Sequence, residues 1–222
     1  MGVLTKKEII ELIKTKKINF SPSLDRFQLQ PHAVDLRLGF HFYLPKTWHL
    51  SAAGREIIKV DPLNYNHNNQ DLFETVQLKN GQYFELMPKE FVIGVSLEKI
   101  SINQGNIMGV LYPRSSINRR GLSVDLSGII DVWYQGNLMV PIINNTETQP
   151  IRIYPGERFC QVVFQQLATT LTKTEASLHG IHKAKYAGSD ADDINSKVDK
   201  KDEITLIKNG EINKLKNKYL IN

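Results

Sequence analysis

IMGVLY at 107–112, LSVDLSGII at 122–130, LMVPII at 138–143, IRIY at 151–154 and FCQVVF at 159–164 decide the fold. These runs are short, rich in Val, Ile and aromatic residues, and separated by Gly, Pro and Asn. That spacing belongs to an all-β barrel or sandwich rather than to alternating βαβ units. Toward the N-terminus, FHFYL at 40–44, YFELM at 83–87 and FVIGVSL at 91–97 extend the pattern, so the β region runs from about residue 27 to 167. Residues 51–71 have mixed polarity with several Asn and read as an excursion loop. Ahead of the strands, residues 5–16 predict a short amphipathic helix. Thr5 is its cap, Glu8 closes a capping box, and Ile9, Ile10, Leu12 and Ile13 form its apolar stripe.

Beyond Leu167 the chain turns polar and reads as an arm with too few large apolar residues to pack a core. Near its end, Asn209-Gly210 stands between alternating residues in ITLIKNGEINKLK, which predicts a small hairpin. The net charge of +5 and pI near 9.1 suit either a polyanionic partner such as nucleic acid or a phosphate-rich ligand, or plain solvated lysine. The lysines concentrate at the two ends, which favours the second, and no nucleic-acid partner is expected. No run approaches the roughly 20 apolar residues a membrane span needs. The first residues lack a signal-peptide pattern, and the single Cys160 forbids an internal disulfide; both fit a cytoplasmic protein.

Several chemistries are excluded. There is no Gly-rich loop ending in Gly-Lys-Ser/Thr and no G-x-G-x-x-G after a strand. Zinc nucleobase deaminases need a Pro-Cys-x-x-Cys, which one cysteine cannot supply. His32, His41, His49, His67, His179 and His182 show no metal-ligand spacing.

Four clusters carry residues a core does not require. HAVDLRLG at 32–39 puts Asp35 and Arg37 into an apolar strand. YPRSSINRRG at 112–121 offers Arg114, Ser115, Ser116 and Arg119, a set of guanidiniums and hydroxyls suited to phosphate oxygens. SGIIDVWYQG at 127–136 sets Asp131 between an apolar strand and aromatic residues, where partial desolvation suits a base. PGERFCQVVF at 155–164 is a turn feeding a buried strand with Gln161 as its polar exception.

Together, in this order, the clusters closely resemble the trimeric dUTPase / dCTP deaminase superfamily over about residues 3–187. The Gly-Ile-Ile-Asp-x-x-Tyr-x-Gly hairpin at 128–136 is dUTPase-like. The Gln-Pro-x-x-x-Asp-Leu-Arg-Leu-Gly strand at 30–39 and the Arg-Ser-Ser-x-x-Arg-x-Gly turn at 114–121 are deaminase-like. The mixture is similar to archaeal-type dUTPases of the deaminase branch. The resemblance implies a mainly β fold, a distorted barrel or jelly roll with a short N-terminal helix and a C-terminal arm. It divides the chain into a catalytic domain at 1–187 and a polar, mobile extension at 188–222.

The same resemblance implies hydrolysis of dUTP to dUMP and pyrophosphate, with Asp131 activating the attacking water. Arg114, Ser115, Ser116 and Gln161 would contact phosphates, with Lys183, Lys185 or Arg119 adding charge. Tyr134 would sit under the deoxyribose and exclude a 2′-hydroxyl. Ile130 and the 124–138 backbone would face the uracil. Asp125, where dUTPases place Asn, can accept from the base but not donate to it. Tyr186 would stack on the base. Mg²⁺ would be carried mainly by the triphosphate, with Asp35 holding its water shell, and the chain would form a homotrimer. Pro141 takes the place where deaminases carry a proton-shuttling Glu, which weighs toward hydrolysis alone. The alternatives are a dCTP deaminase, or a bifunctional enzyme making dUMP from dCTP, and a non-catalytic nucleotide-binding regulator.

Overall fold

A computed structural model describes residues 2–61, 63, 72–125, 128–179, 182–183 and 199–220. The helix at the start is α1, Lys6–Lys14; Thr5 and Glu8 form the expected capping box and Ile9 is fully buried. Strands follow as β1 (Ile18–Ser21), β2 (Val34–Pro45), β3 (Trp48–Ser51), β4 (Gly54–Ile57), β5 (Phe73–Gln77), β6 (Phe84–Leu86), β7 (Phe91–Ser96), β8 (Lys99–Ile102) and β9 (Ile107–Pro113). After the single turn of α2 (Ser115–Asn118) come β10 (Leu122–Val124), β11 (Ile129–Ile130), β12 (Gln135–Gly136), β13 (Met139–Asn144), β14 (Ile151–Ile153) and β15 (Arg158–Gln166). The chain continues through α3 (Lys173–Ala176), β16 (Leu178–His179), β17 (His182–Lys183), α4 (Lys201–Lys208) and α5 (Ile212–Lys218).

The main sheet is eight-stranded, in the order β10-β13-β7-β2-β15-β9-β11 with β5 also on β2, and it curls into an open half-barrel. A three-stranded sheet, β1-β8-β12, accompanies it. The twelve-residue β2 holds this together, because its first residues pair with β15 and its later ones with β7 and β5. The register shifts between Leu38 and Phe42, where the strand changes partners. Gly39 permits the approach, since a Cβ there would lie 2.8 Å from the Val95 carbonyl oxygen. Inward residues of these strands, among them Leu36, Phe42, Ile142, Val162 and Phe164, form one core.

Three local expectations change. The run LSVDLSGII is two strands, not one: β10 pairs with β13 while β11 pairs with β9. Residues 51–57 are not loop, because β3 and β4 make a hairpin in which Trp48 opposes Ile57 and Arg55 lies over the Trp48 ring at 4.7 Å. Residues 62 and 64–71 of the expected loop lie outside the described residues. The Asn209-Gly210 hairpin is absent, and α4 and α5 stand in its place. Gly210 has φ +72, and the Gly210 and Glu211 N–H groups donate to Ile207 O (3.0 Å) and Leu206 O (2.8 Å), the Schellman ending of a helix. Ile204 and Leu206 are buried, so this part of the 188–222 extension carries apolar packing of its own.

Candidate active site

At the end of β9, Arg114 is extended and caps α2, whose buried Ile117 fixes the turn against the core. Ser115, Ser116 and Arg119 are left exposed, as a phosphate-binding turn requires. Arg114 is held from behind. Its Nε pairs with Asp35 Oδ2 at 3.1 Å and its Nη1 donates to the Arg158 carbonyl at 2.8 Å. The same Asp35 oxygen receives Arg158 Nη1 and Gln30 Nε2, each at 3.2 Å. Gln161 lies in register with both Asp35 and Tyr112.

Asp35 is only 2% exposed. Burial pushes its carboxyl above the usual carboxylate range, against the pull of Arg114 and Arg158. It braces the phosphate turn rather than presenting an open carboxylate, so it does not fit the expected place beside a metal's water shell. Among the described residues no group of three His, Cys, Asp or Glu could hold a metal ion.

The second half of the site is the turn between β11 and β12. Ile130 is buried, and Asp131, half-buried, begins a turn closed by the Tyr134 N–H to the Asp131 carbonyl at 3.3 Å. Tyr134 is fixed at both ends. Its carbonyl accepts from Ile102 N–H at 2.8 Å and its hydroxyl donates to Asn137 O at 2.9 Å, while burial pushes the phenol up to about 12. Asp125 is exposed, and its N–H donates to the Pro141 carbonyl at 3.0 Å.

These two halves do not meet within one chain. Ile130 pairs with Gly109 and Ile129 with Val110, so Asp131 lies at the Ile107 end of β9 and Arg114 at the other. Some six residues of strand at about 3.3 Å each separate them by roughly 20 Å. Lys185 and Tyr186 lie outside the described residues, and of Lys183 only the backbone in β17 is described.

Two features escaped the sequence reading. Arg158 sits inside the quoted PGERFCQVVF cluster, yet its partnership with Asp35 depends on the β15–β2 register. Glu98, 1% exposed, accepts from Gln28 Nε2 (2.8 Å) and from Arg37 N–H (2.9 Å); burial raises its carboxyl. Nothing local to Glu98 announces a buried acid, because Gln28 and Arg37 lie far away in sequence.

Residues 3–167 match the model of the dCTP deaminase-like family. The chain belongs to that family. Similar curated family members include a "dCTP deaminase, dUMP-forming" of Dictyoglomus turgidum, 32% identical over 75% of this chain and 81% of its own length. Another of the same name, from Persephonella marina, is 32% identical over 84% of this chain and 92% of its own length. The one from Methanosphaera stadtmanae is 27% identical over 95% of this chain and all of its own. Among solved structures, the fold is similar to 2′-deoxycytidine 5′-triphosphate deaminase from Agrobacterium tumefaciens, with a TM-score of 0.57 and 23% identity over 78% of this chain and 51% of that one.

Membership of the family corrects the expectation of dUTP hydrolysis alone. Relatives spanning three-quarters or more of this chain carry deamination and dUMP formation in one name, which favours the bifunctional alternative. Pro141 lies on β13, the strand after the hairpin, opposite Ile93. The step from that proline to hydrolysis alone is what fails.

Proposed function

We propose that this chain forms dUMP from dCTP, deaminating the cytosine ring and hydrolysing the bond between the α- and β-phosphates. Two waters are consumed, and ammonia and pyrophosphate leave. The observation that carries this reading is the family match itself, with curated relatives that bear that name, and the Arg114–Arg119 turn and the Asp131–Tyr134 turn support it. In the phosphate half, Arg114, Ser115, Ser116 and Arg119, with Gln161, spread the triphosphate's charge, which otherwise repels the nucleophile. In the hairpin half, Asp131 orients and deprotonates the water that attacks the α-phosphorus, and the fixed Tyr134 ring packs under the sugar. Mg²⁺ travels on the triphosphate.

For the ring step, we assign the proton traffic to Asp125. It follows the Val124–Ile142 pair and hydrogen-bonds to Pro141. Opposed residues of an antiparallel ladder share a face. A carboxylate on residue 125 therefore projects beside the position from which one on residue 141 would project. Water adds at the ring carbon bearing the amino group, and that group leaves as ammonia. The separation of Asp131 from Arg114 along β9 also calls for a second copy of the chain, which a homotrimer supplies.

The test is to incubate the protein with dCTP or dUTP plus Mg²⁺ and to quantify ammonia, dUMP and pyrophosphate. Equal ammonia and dUMP from dCTP is the expected result, and Asp125→Asn should lose ammonia release while keeping pyrophosphate release from dUTP. Pyrophosphate from dUTP with no ammonia from dCTP would sink the deamination half.

A further inference from the structure

The residue after Val132 stands in a conformation its side chain disfavours. The 131–134 turn is closed by a hydrogen bond from its fourth residue to its first, and Trp133 at its third position has φ +62. A turn of this class, type II, requires φ above zero there and ordinarily takes Gly or Asn. A bulky side chain in the left-handed region persists only where its surroundings over-determine it.

Those surroundings are specific. The Trp133 indole N–H donates to the Leu171 carbonyl at 2.9 Å, and Lys173 Nζ lies over the ring at 5.2 Å. Leu171 is held on its other side by its own N–H to the Gly105 carbonyl at 2.8 Å. Gly105 is without a Cβ for cause, since one would fall 1.9 Å from Leu171 O and 3.0 Å from the Trp133 indole nitrogen. Residues 102–105, the 131–134 turn and the first residues of the C-terminal arm are thus stitched at one point.

We infer that Trp133 is a positioning residue that fastens the root of the C-terminal arm, residues 171–173, to the turn carrying Asp131. The inference rests on the reading above in taking Asp131 as part of the reaction site. Movement of the arm and placement of Asp131 are then coupled through one indole. A glycine would satisfy the turn better and leave the arm untied.

Two full-length variants separate the strut from the turn. Trp133→Phe keeps a ring under Lys173 and loses the donor; Trp133→Gly suits the turn and loses both contacts. Limited trypsin digestion reads cleavage after Lys173, which requires the arm root to leave the turn. Losing one net hydrogen bond raises the open fraction by roughly 2- to 10-fold. Cleavage should rise by about that factor in Trp133→Phe and further in Trp133→Gly. KM for the nucleotide turned over should rise in the same order, with the pH profile of kcat unchanged. Gly105→Ala, which displaces Leu171 from the opposite side, should speed the same cleavage with Trp133 intact. Wild-type cleavage in Trp133→Gly would overturn the docking, and faster cleavage with unchanged KM would overturn the positioning role. A protein that turned over neither nucleotide would defeat the proposed function, while the cleavage comparison would still decide the docking.

Discussion

Subunit complementation follows from the geometry of β9. Asp131 lies beside one end of this strand and Arg114 follows the other, so roughly 20 Å of extended chain separates them. That distance is far beyond the span between an α-phosphate and its neighbouring phosphates. On the proposed function, each working site takes Asp131 from one copy and Arg114 from another. Asp131→Asn and Arg114→Ala homo-oligomers should each fall to about 1% of wild-type turnover or below, the low end for loss of a general base in the first and of a charge-stabilising donor in the second. When the two variants are co-expressed in equal amounts, a site is intact only if one copy supplies Asp131 and its neighbour supplies Arg114. Each condition holds half the time, so roughly one quarter of wild-type activity should return. A rise of that size above so low a background is readily measured by pyrophosphate release. Mass spectrometry of the intact oligomer would establish that both chains share one particle. Mixed particles that stay at background would refute the shared site and the reasoning from β9.

Other consequences are nearer to hand. Asp131→Asn should keep the fold and nucleotide binding while losing at least about 10²-fold in turnover, and near-normal pyrophosphate release would show that the base lies elsewhere. Asn144 is fully buried; its amide donates to Leu86 O and Gln149 O, and its carbonyl accepts from Thr146 N–H and Oγ1. Asn144→Ala orphans those groups and should cost about 2–4 kcal/mol in urea denaturation, where an unmoved midpoint would contradict the cost. Glu98 binds its proton more tightly folded than unfolded, so its contribution to stability is greatest below the ordinary glutamate range and is lost as pH rises through its raised native value. Wild-type urea midpoints should therefore fall relative to those of Glu98→Gln across that interval, and parallel curves would exclude the linkage.

The sequence by itself determined the features that depend on near neighbours. Short Val- and Ile-rich runs specify strands because side chains alternate along the backbone. Thr5 and Glu8 specify the start of α1 because a capping box closes within four residues. The order of the four clusters also identified the superfamily correctly, but not the reaction. Pro141 read alone pointed to hydrolysis, since one strand shows a proline where the resemblance expects a carboxylate and does not show that Asp125 lies across from it.

Tertiary structure decided whatever depends on partners distant in the chain. Asn209-Gly210 suits a tight hairpin turn and a Schellman ending equally, because both place Gly at positive φ. The burial of Ile204 and Leu206 accompanies the helical choice. Asp35 resembled an accessible acid until the pairing of β2 with β15 set it against Arg158, 123 residues away, and against Arg114 just past the end of β9. Asp131 and Arg114 are only 17 positions apart, yet the antiparallel pairing of β11 with β9 sends them to opposite ends of one strand. Register is a long-range property, set by which faces are buried together, and no local pattern encodes it.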